Sequence, residues 1–261
     1  MRFQVLISCM NNNSHDLIQN SNLKEHSTLV VNQCKNADDK LRKLDGLHYE
    51  YRSSEKGLSV SRNTAVKLSS AEICLISDDD EVFVDDLEKK VISAYNKIPE
   101  ADVIIFAMSN RPLSLGKKVK RLRWFDTLKV SSWQISFKRS SITNNRISFD
   151  IKLGAGTGNG AGEENKFLLD CLKNKLKIYY VPYKIASVAQ EESTWFHGYT
   201  PQFFYDRGKT TRYILGFPIS FVYALYYIAT KRKMYIQDIS SFRALKSIIK
   251  GIVGNEISKQ K

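Results

Sequence analysis

Short apolar runs alternate with amphipathic segments over the first hundred residues. The apolar runs 3–9, 28–31, 73–76 and 102–108, with the alternating segment 48–52, predict five strands. Amphipathic spacing predicts a helix beginning near Ser61 and a second helix over 85–98, where Asp85 and Glu88 would form a capping box. This alternation of strands and helices is typical of an α/β fold with a largely parallel sheet.

Beyond residue 108 the pattern is less regular. Residues 111–148 are basic, and a helix over 164–173 and a strand over 177–181 follow. The apolar run 213–229 would span about 25 Å as a helix, short of the roughly 30 Å core of a bilayer, and Pro218 would kink or start it.

The last predicted helix covers 240–253 and is amphipathic and basic. Its apolar residues would share one face, which consists of Phe242, Leu245, Ile249, Ile252 and Val253. A basic amphipathic helix of this kind is typical of one that lies in an anionic membrane surface. Packing against the rest of the chain, or between two copies in a homodimer, is the alternative.

Composition and charge narrow the classes of function. The 261 residues are 43% hydrophobic and 26% charged, as expected of a globular chain that forms one large domain, or one domain plus an appendage. The net charge of +13 points to a polyanionic partner, and residues 231–261 hold eight Lys and Arg against two acids. Four cysteines without metal-ligand spacing, and an N-terminal apolar run too short for a signal peptide, indicate a reducing, cytoplasmic compartment.

Three consecutive aspartates, Asp78, Asp79 and Asp80, follow directly after the predicted strand 73–76. Carboxylates ~4 Å apart repel by roughly 4 kcal/mol at an effective dielectric of about 20, unless water or a cation screens them. A solvated turn is the plain interpretation. The functional one is a site for Mg²⁺, which takes one or two carboxylates from protein and fills its shell with phosphate and water.

A glycine-rich stretch over 154–162 precedes Glu163 and Glu164. Its GTGNGA segment fits G-x-G-x-x-G/A, but a pyrophosphate at the following helix would face both glutamates, so a dinucleotide site is disfavoured. No G-K-[ST] follows, which excludes a P-loop. The glycines more plainly form a loop that delivers the two glutamates to a cleft.

Taken in order, the segments VLISCMN, VVNQC, GLSVSRN, ICLISDDDEVF and GAGEEN resemble the family 2 glycosyltransferases with the GT-A fold. The resemblance spans roughly residues 3–205 and is nearest to bacterial enzymes of capsule and surface-polysaccharide assembly. It implies a Rossmann-like, mixed, mainly parallel sheet flanked by helices. It also implies a nucleotide-sugar-binding part over 1–108 and an acceptor-binding and catalytic-base part over 109–205. Beyond it, the apolar and basic pattern of 206–261 predicts a membrane-associating helical segment.

The resemblance further implies a metal-dependent hexosyltransferase that inverts the anomeric carbon of a nucleotide-diphosphate sugar, usually UDP-linked, with Mg²⁺ or Mn²⁺. In the D-x-D motif, Asp80 is the expected metal ligand, and Asp78 faces the donor or is a second ligand. The role of Asp79 at the donor site stays open, because three consecutive aspartates can be aligned with the D-x-D motif in more than one register.

Other family positions carry over residue by residue. Arg62 and Asn63 would lie beside the nucleotide, and Asn32 and Gln33 would lie near its base. Glu164 stands at the position of the catalytic base, where the family has an aspartate. Glu163 could exchange roles with it, or both could merely stabilise a helix terminus.

Three aromatic residues are candidates for acceptor contact: Trp133, Trp195 and His197. Each could equally be a core or surface side chain. A histidine that relatives often carry before S-T-W is replaced in this neighbourhood by Gln190.

The resulting hypothesis is a cytoplasmic enzyme, peripheral on the inner face of the cell membrane, that glycosylates a glycan or a lipid-linked glycan. A nucleotidyltransferase of similar fold is the first alternative, although CMNNNSHD after the first strand offers no glycine-rich phosphate loop. A non-catalytic basic protein that binds membrane or nucleic acid is the second. The basic stretch 117–123 motivates it, but no nucleic-acid module signature appears, so no nucleic-acid partner is expected.

Overall fold

The computed structural model describes residues 1–131, 134–157, 159, 161–188 and 198–254. The chain divides into two compact units. The first comprises Met1–Asp150 and Glu164–Glu191, and the second comprises Ile151–Glu163 and Glu192–Lys261. The chain therefore passes from one unit to the other between Glu163 and Glu164.

The described strands of the first unit form a single sheet. They are β1 (Phe3–Met10), β2 (Thr28–Gln33), β3 (Leu41–Lys43), β4 (His48–Ser53), β5 (Ile73–Ser77), β6 (Glu81–Phe83), β7 (Val103–Met108), β8 (Lys120–Arg121), β9 (Ile135–Lys138) and β10 (Ile178–Val188). Their spatial order is β3-β4-β2-β1-β5-β9-β7-β10-β6, and β8 also pairs with β10. Strands β4, β2, β1, β5, β7 and β10 run in one direction. The prediction of a mixed, mainly parallel sheet is thus confirmed.

All five strands predicted over the first hundred residues are present, with ends shifted by one or two residues. Their apolar runs are continuous because helices cover both faces of the sheet, so neither side of β5 or β7 meets water. Two hydrophobic clusters form as a result, one on each face.

Strand β9 was not predicted, and it lies antiparallel between β5 and β7. It places a polar residue, Ser136, in a fully buried position. Its hydroxyl donates to the carbonyl of Ile104 at 3.0 Å and lies 3.1 Å from the hydroxyl of Tyr95. These bonds satisfy the buried hydroxyl, which explains how a polar sequence forms an interior strand.

Short and medium helices flank the sheet. They are α1 (Ser14–Asn20), α2 (Leu58–Leu68), α3 (Leu87–Lys97), α4 (Trp124–Thr127), α5 (Arg139–Asn144) and α6 (Glu163–Lys173). The predicted capping box of α3 is wrong, because the helix begins at Leu87, with Asp86 at the N-cap and no side-chain cap bond. Asp85 instead accepts a hydrogen bond from the Asn22 side chain at 2.8 Å.

The second unit contains α7 (Pro201–Leu215), α8 (Phe217–Thr230), α9 (Arg232–Tyr235) and α10 (Ser241–Val253). The apolar run 213–229 is not one helix, because Gly216, at φ 79°, separates α7 from α8. Pro218 lies in the first turn of α8, where a missing N–H costs nothing. Across the described ranges, no helix combines the length and the apolarity that a membrane crossing would require.

Helices α7 and α10 approach each other closely at two glycines. A Cβ on Gly208 would lie 2.1 Å from the carbonyl oxygen of Ile248, and one on Gly251 would lie 2.0 Å from that of Tyr205. This contact buries Ile252, whereas Phe242 and Val253 remain exposed. The five residues of the predicted apolar stripe share one side of α10, but the packed side lies next to it at Ala244, Ile248 and Gly251, so Ile252 is the member of the stripe that is buried.

Replacing Gly251 by alanine is expected to destabilise the second unit by about 1–3 kcal/mol, because backbone atoms would have to move apart. Hydrogen exchange over α7 and α10 measures the effect, and faster exchange confined to those helices is expected. Gly46→Ala is the matched control, since a Cβ there would meet nothing within 4 Å. Equal exchange in both variants would contradict the close approach.

Candidate active site

Polar residues collect where parallel strands β1, β2 and β5 end. The Asn12 side chain donates to Asp79 Oδ2 at 2.7 Å, and the Asn32 side chain donates to the Asn12 carbonyl at 2.6 Å. Since ligands of open α/β sheets bind at the carboxyl ends of strands, this edge is the candidate active site.

Asn32 and Gln33, at the end of β2, are buried, and their side chains form hydrogen bonds within the protein. Asn32 also donates to Glu50 Oε1 at 3.2 Å, and Gln33 Oε1 accepts from the N–H of Gly57, just before α2, at 2.8 Å. Both side chains therefore hold the loops of this edge in place. Their contact with a nucleotide base stays a prediction.

The acidic triplet forms the tip between β5 and β6. Asp78 is half-buried, and its N–H donates to Glu81 Oε1 at 2.9 Å. Partial desolvation raises the pKa of Asp79 and Asp80, and the negative charge of Asp78 raises both further. Burial, followed by the charge of Asp78, raises the pKa of Glu81 well above its usual range. Burial first, and the neighbouring carboxylates second, thus make the ionised forms of these carboxyl groups less favourable than in water.

A hard divalent cation fits this donor set. Glu81 is buried, and its Oε2 has no hydrogen-bond partner among the described residues. Within the same ranges, Asp78 pairs with Arg62 and Asp79 with Asn12, but no side chain bonds to Asp80. Groups of three His, Cys, Asp or Glu side chains arranged for a metal do not occur in the part that the structure describes. One or two carboxylates are all that Mg²⁺ typically takes, so an open site of this kind suffices.

Arg62 connects Asp78 of the acidic tip with Glu164 at the start of α6. It projects from α2, is only 1% exposed, and donates to Asp78 Oδ1 at 2.8 Å and to Glu164 Oε1 at 3.2 Å. One guanidinium therefore brings the carboxylate of Asp78, the first of the three consecutive aspartates, close to the carboxylate of Glu164. Sequence reasoning placed all three at one site, but it did not anticipate that Arg62 is the link.

Asn63 makes a different contact. Its side chain donates to the Phe149 carbonyl at 2.8 Å and accepts from the Phe149 N–H at 2.8 Å. The Phe149 ring stacks on Phe167 at 4.3 Å between centroids, and Arg62 lies 5.5 Å from the Phe149 ring centre. Because Phe167 lies one turn after Glu164 on α6, this stack fixes the start of that helix.

Glu163 and Glu164 open α6, as predicted. The Glu164 side chain is 15% exposed, so it keeps some access to solvent. It lies in the first turn of α6. Glu163 is buried and belongs to the second unit, on the other side of the unit boundary.

Several positions of interest remain outside this geometry. Trp133, Trp195, His197 and Gln190 lie outside the residues that the structure describes. Asn12, Glu81 and Phe149 were not predicted. Glu81 carried a signal, as the fourth acid of the run, whereas nothing local distinguishes Asn12 or Phe149.

The fold and the acidic edge define a glycosyltransferase-like protein of the GT-A type. Residues 15–157 match the family model described as Glycosyl transferase family 2. The chain therefore belongs to the family 2 glycosyltransferases, and it is a glycosyltransferase, as predicted. No curated protein matches its sequence.

Solved structures give the same fold. The S. aureus TarS fragment 1–349 superposes with a TM-score of 0.62 at 15% identity, over 97% of this chain and 81% of that one. The same fragment in complex with UDP-GlcNAc also gives 0.62, at 14% identity, over 97% and 82%. Its complex with UDP gives 0.62 at 14% identity over 97% and 81%. At this level of identity the similarity establishes the fold alone.

Proposed function

We propose that this protein transfers a hexose from a UDP-linked donor to a hydroxyl of a glycan or lipid-linked glycan in surface-polysaccharide synthesis. The transfer inverts the configuration of the anomeric carbon. The observation that carries the proposal is the Arg62 bridge between Asp78 and Glu164 in a family 2 chain. The choice of UDP is supported by the structural similarity to TarS, which has been crystallised with UDP-GlcNAc and with UDP.

The chemistry follows from the position of Glu164. The acceptor oxygen attacks the anomeric carbon on the face opposite the diphosphate, and Glu164 takes the hydroxyl proton. The bond from that carbon to the diphosphate oxygen breaks, and its electron pair leaves with UDP. One displacement with one base inverts the anomeric configuration.

The donor side would use the acidic tip. Asp80, with Asp78, would hold Mg²⁺ or Mn²⁺, which when bound neutralises charge developing on the leaving diphosphate. Arg62 keeps Asp78 and Glu164 oriented toward each other. Asn32, Gln33 and Asn63 would act by holding the loops that surround the nucleotide.

The acceptor and the location are the remaining parts of the proposal. Trp133, Trp195 and His197 are the proposed acceptor contacts. A lipid-linked acceptor would require an enzyme at the inner face of the cell membrane, and the basic C-terminal helices suit peripheral attachment there. A homodimer is the alternative use of those helices.

A nucleotide-sugar panel tests the proposed reaction. Purified full-length protein with Mn²⁺ should hydrolyse one UDP-sugar slowly and bind UDP in calorimetry. Turnover of a nucleoside triphosphate with release of pyrophosphate would favour the nucleotidyltransferase. DNA retained at moderate salt, with no UDP binding, would favour the non-catalytic basic protein.

Asp80→Asn should remove manganese-dependent UDP binding while leaving the fold intact. Losing even an outer-shell partner costs 10- to 100-fold in metal affinity, so losing a ligand should cost more than about 100-fold. Titration calorimetry with UDP and Mn²⁺ measures this. Asp86→Asn is the control, because that exposed carboxylate only pairs with Lys90 at 2.9 Å and should bind normally. Retained binding in Asp80→Asn would reject the metal role.

A further inference from the structure

The outward face of α8 is apolar and uncharged. The whole helix contains no charged residue, and five of its large side chains are exposed: Phe217, Ile219, Val222, Leu225 and Tyr226. Val222 is 63% exposed and Leu225 is 60% exposed. The opposite face of α8 is buried through Ser220, Ala224 and Tyr227. Contiguous exposed apolar faces of this kind mark interaction sites.

Exposed cations follow α8 in the chain and also lie on α10. Lys231, Arg232 and Lys233 follow α8 directly, and all three are exposed. Helix α10 exposes Phe242 and Val253 together with three further cations, which are Arg243, Lys246 and Lys250. Over 198–254 there are nine Lys and Arg against two Asp, a net charge of +7.

This net charge indicates what binds to the outward face of α8. Two copies of a unit with this net charge repel, which disfavours a self-interface. An anionic lipid surface offers the opposite charge and an apolar layer for uncharged side chains. Tyr226 adds an aromatic ring with a polar tip, which suits the boundary between headgroups and acyl chains.

We infer that the outward face of α8 is the element that inserts into an anionic lipid surface, with the exposed cations of 231–233 and α10 contacting lipid headgroups. The inference rests on the proposed membrane location and names the surface responsible. At 14 residues, α8 is about 21 Å long and lies in the plane of the surface.

The assignment differs from the one that the sequence suggested. Sequence periodicity placed the docking face on α10, but the Gly208–Gly251 crossing buries Ile252 of that face, and Phe242 and Val253 are its exposed large apolar residues. Helix α10 thus supplies charge and two exposed apolar side chains, and α8 supplies the larger apolar face.

Vesicle sedimentation of the full-length protein tests the inference. Wild type should bind phosphatidylglycerol-containing vesicles and leave pure phosphatidylcholine vesicles in the supernatant. The double variant V222E/L225E should bind the anionic vesicles at least about tenfold more weakly, because charge replaces the inserted groups. Replacing 231–233 by glutamine should weaken binding about 100-fold, at roughly fivefold, or ~1 kcal/mol, per cation.

The control V119E/I151E adds the same charge at two other exposed apolar positions and should bind as wild type does. Failure of wild type to bind anionic vesicles, or unchanged binding by V222E/L225E, would overturn the inference. A dimer in light scattering that V222E/L225E dissociates would also overturn it, since a second copy would then cover the face. UDP binding with Mn²⁺ should be the same in all variants, which separates these outcomes from failure of the proposed reaction.

Discussion

Replacing Glu164 by glutamine is expected to lower kcat for sugar transfer by about 10²- to 10⁴-fold and to leave UDP affinity unchanged. The amide cannot take the proton of the acceptor hydroxyl. Its oxygen can still accept the hydrogen bond that Arg62 now donates to the carboxylate at 3.2 Å, so the geometry survives. Steady-state kinetics with the preferred UDP-sugar, combined with calorimetry for UDP, measures both parts of the expectation.

Glu163→Gln is the matched control, because it makes the same chemical change one residue earlier. That carboxylate is buried in the second unit, so kcat should fall far less than in Glu164→Gln. The reverse order of effects would assign the base to Glu163. Full activity in both variants would show that neither Glu163 nor Glu164 is the catalytic base.

Arg62→Ala is expected to give the largest loss of stability of any single change in the site, about 3 kcal/mol. Removing one partner of a buried ion pair costs roughly 3–5 kcal/mol, and the lower end applies here because Asp78 and Glu164 keep partial contact with water. Activity should be lost as well, since the two carboxylates would no longer be held together. Urea unfolding followed by circular dichroism measures the stability.

Two further variants serve as controls for Arg62→Ala. Arg42→Ala removes an exposed pair with Asp38 at 2.6 Å and should leave the free energy of unfolding nearly unchanged, because solvent screens surface pairs. Arg62→Lys keeps the charge but cannot bond to two carboxylates as a planar fork does, so its activity should be intermediate. Equal stability of Arg62→Ala and Arg42→Ala would show that the bridge is not structurally important.

The parallel part of the sheet could be predicted because its strands are covered on both faces and read as apolar runs. Strand β9 could not, since a buried Ser136 satisfied by Ile104 and Tyr95 looks polar in the sequence. The close contact at Gly208 and Gly251 was equally invisible. It depends on two backbones meeting, and residues 43 positions apart give no local signal of that.

The candidate site shows a similar division. The order of the segments placed Asp78, Arg62 and Glu164 together, and the structure brings their side chains into contact. The hydrogen bonds that Asn32, Gln33 and Asn63 form within the protein could not be predicted, because they join residues that are distant in the sequence. The roles of all these residues in donor binding and catalysis stay predictions.

The loop before α6 rests on α7 within the second unit. A Cβ on Gly162 would lie 2.8 Å from Ile214 and 2.9 Å from Thr210, and the Lys152 ammonium lies 5.5 Å from the Tyr213 ring centre. Shortening the protein to residue 205 would cut through α7 and strip this support from the segment leading to Glu163. Helix α7 is therefore part of the support of this loop, and a shortened protein that keeps the loop in place has to retain α7 to its end at Leu215.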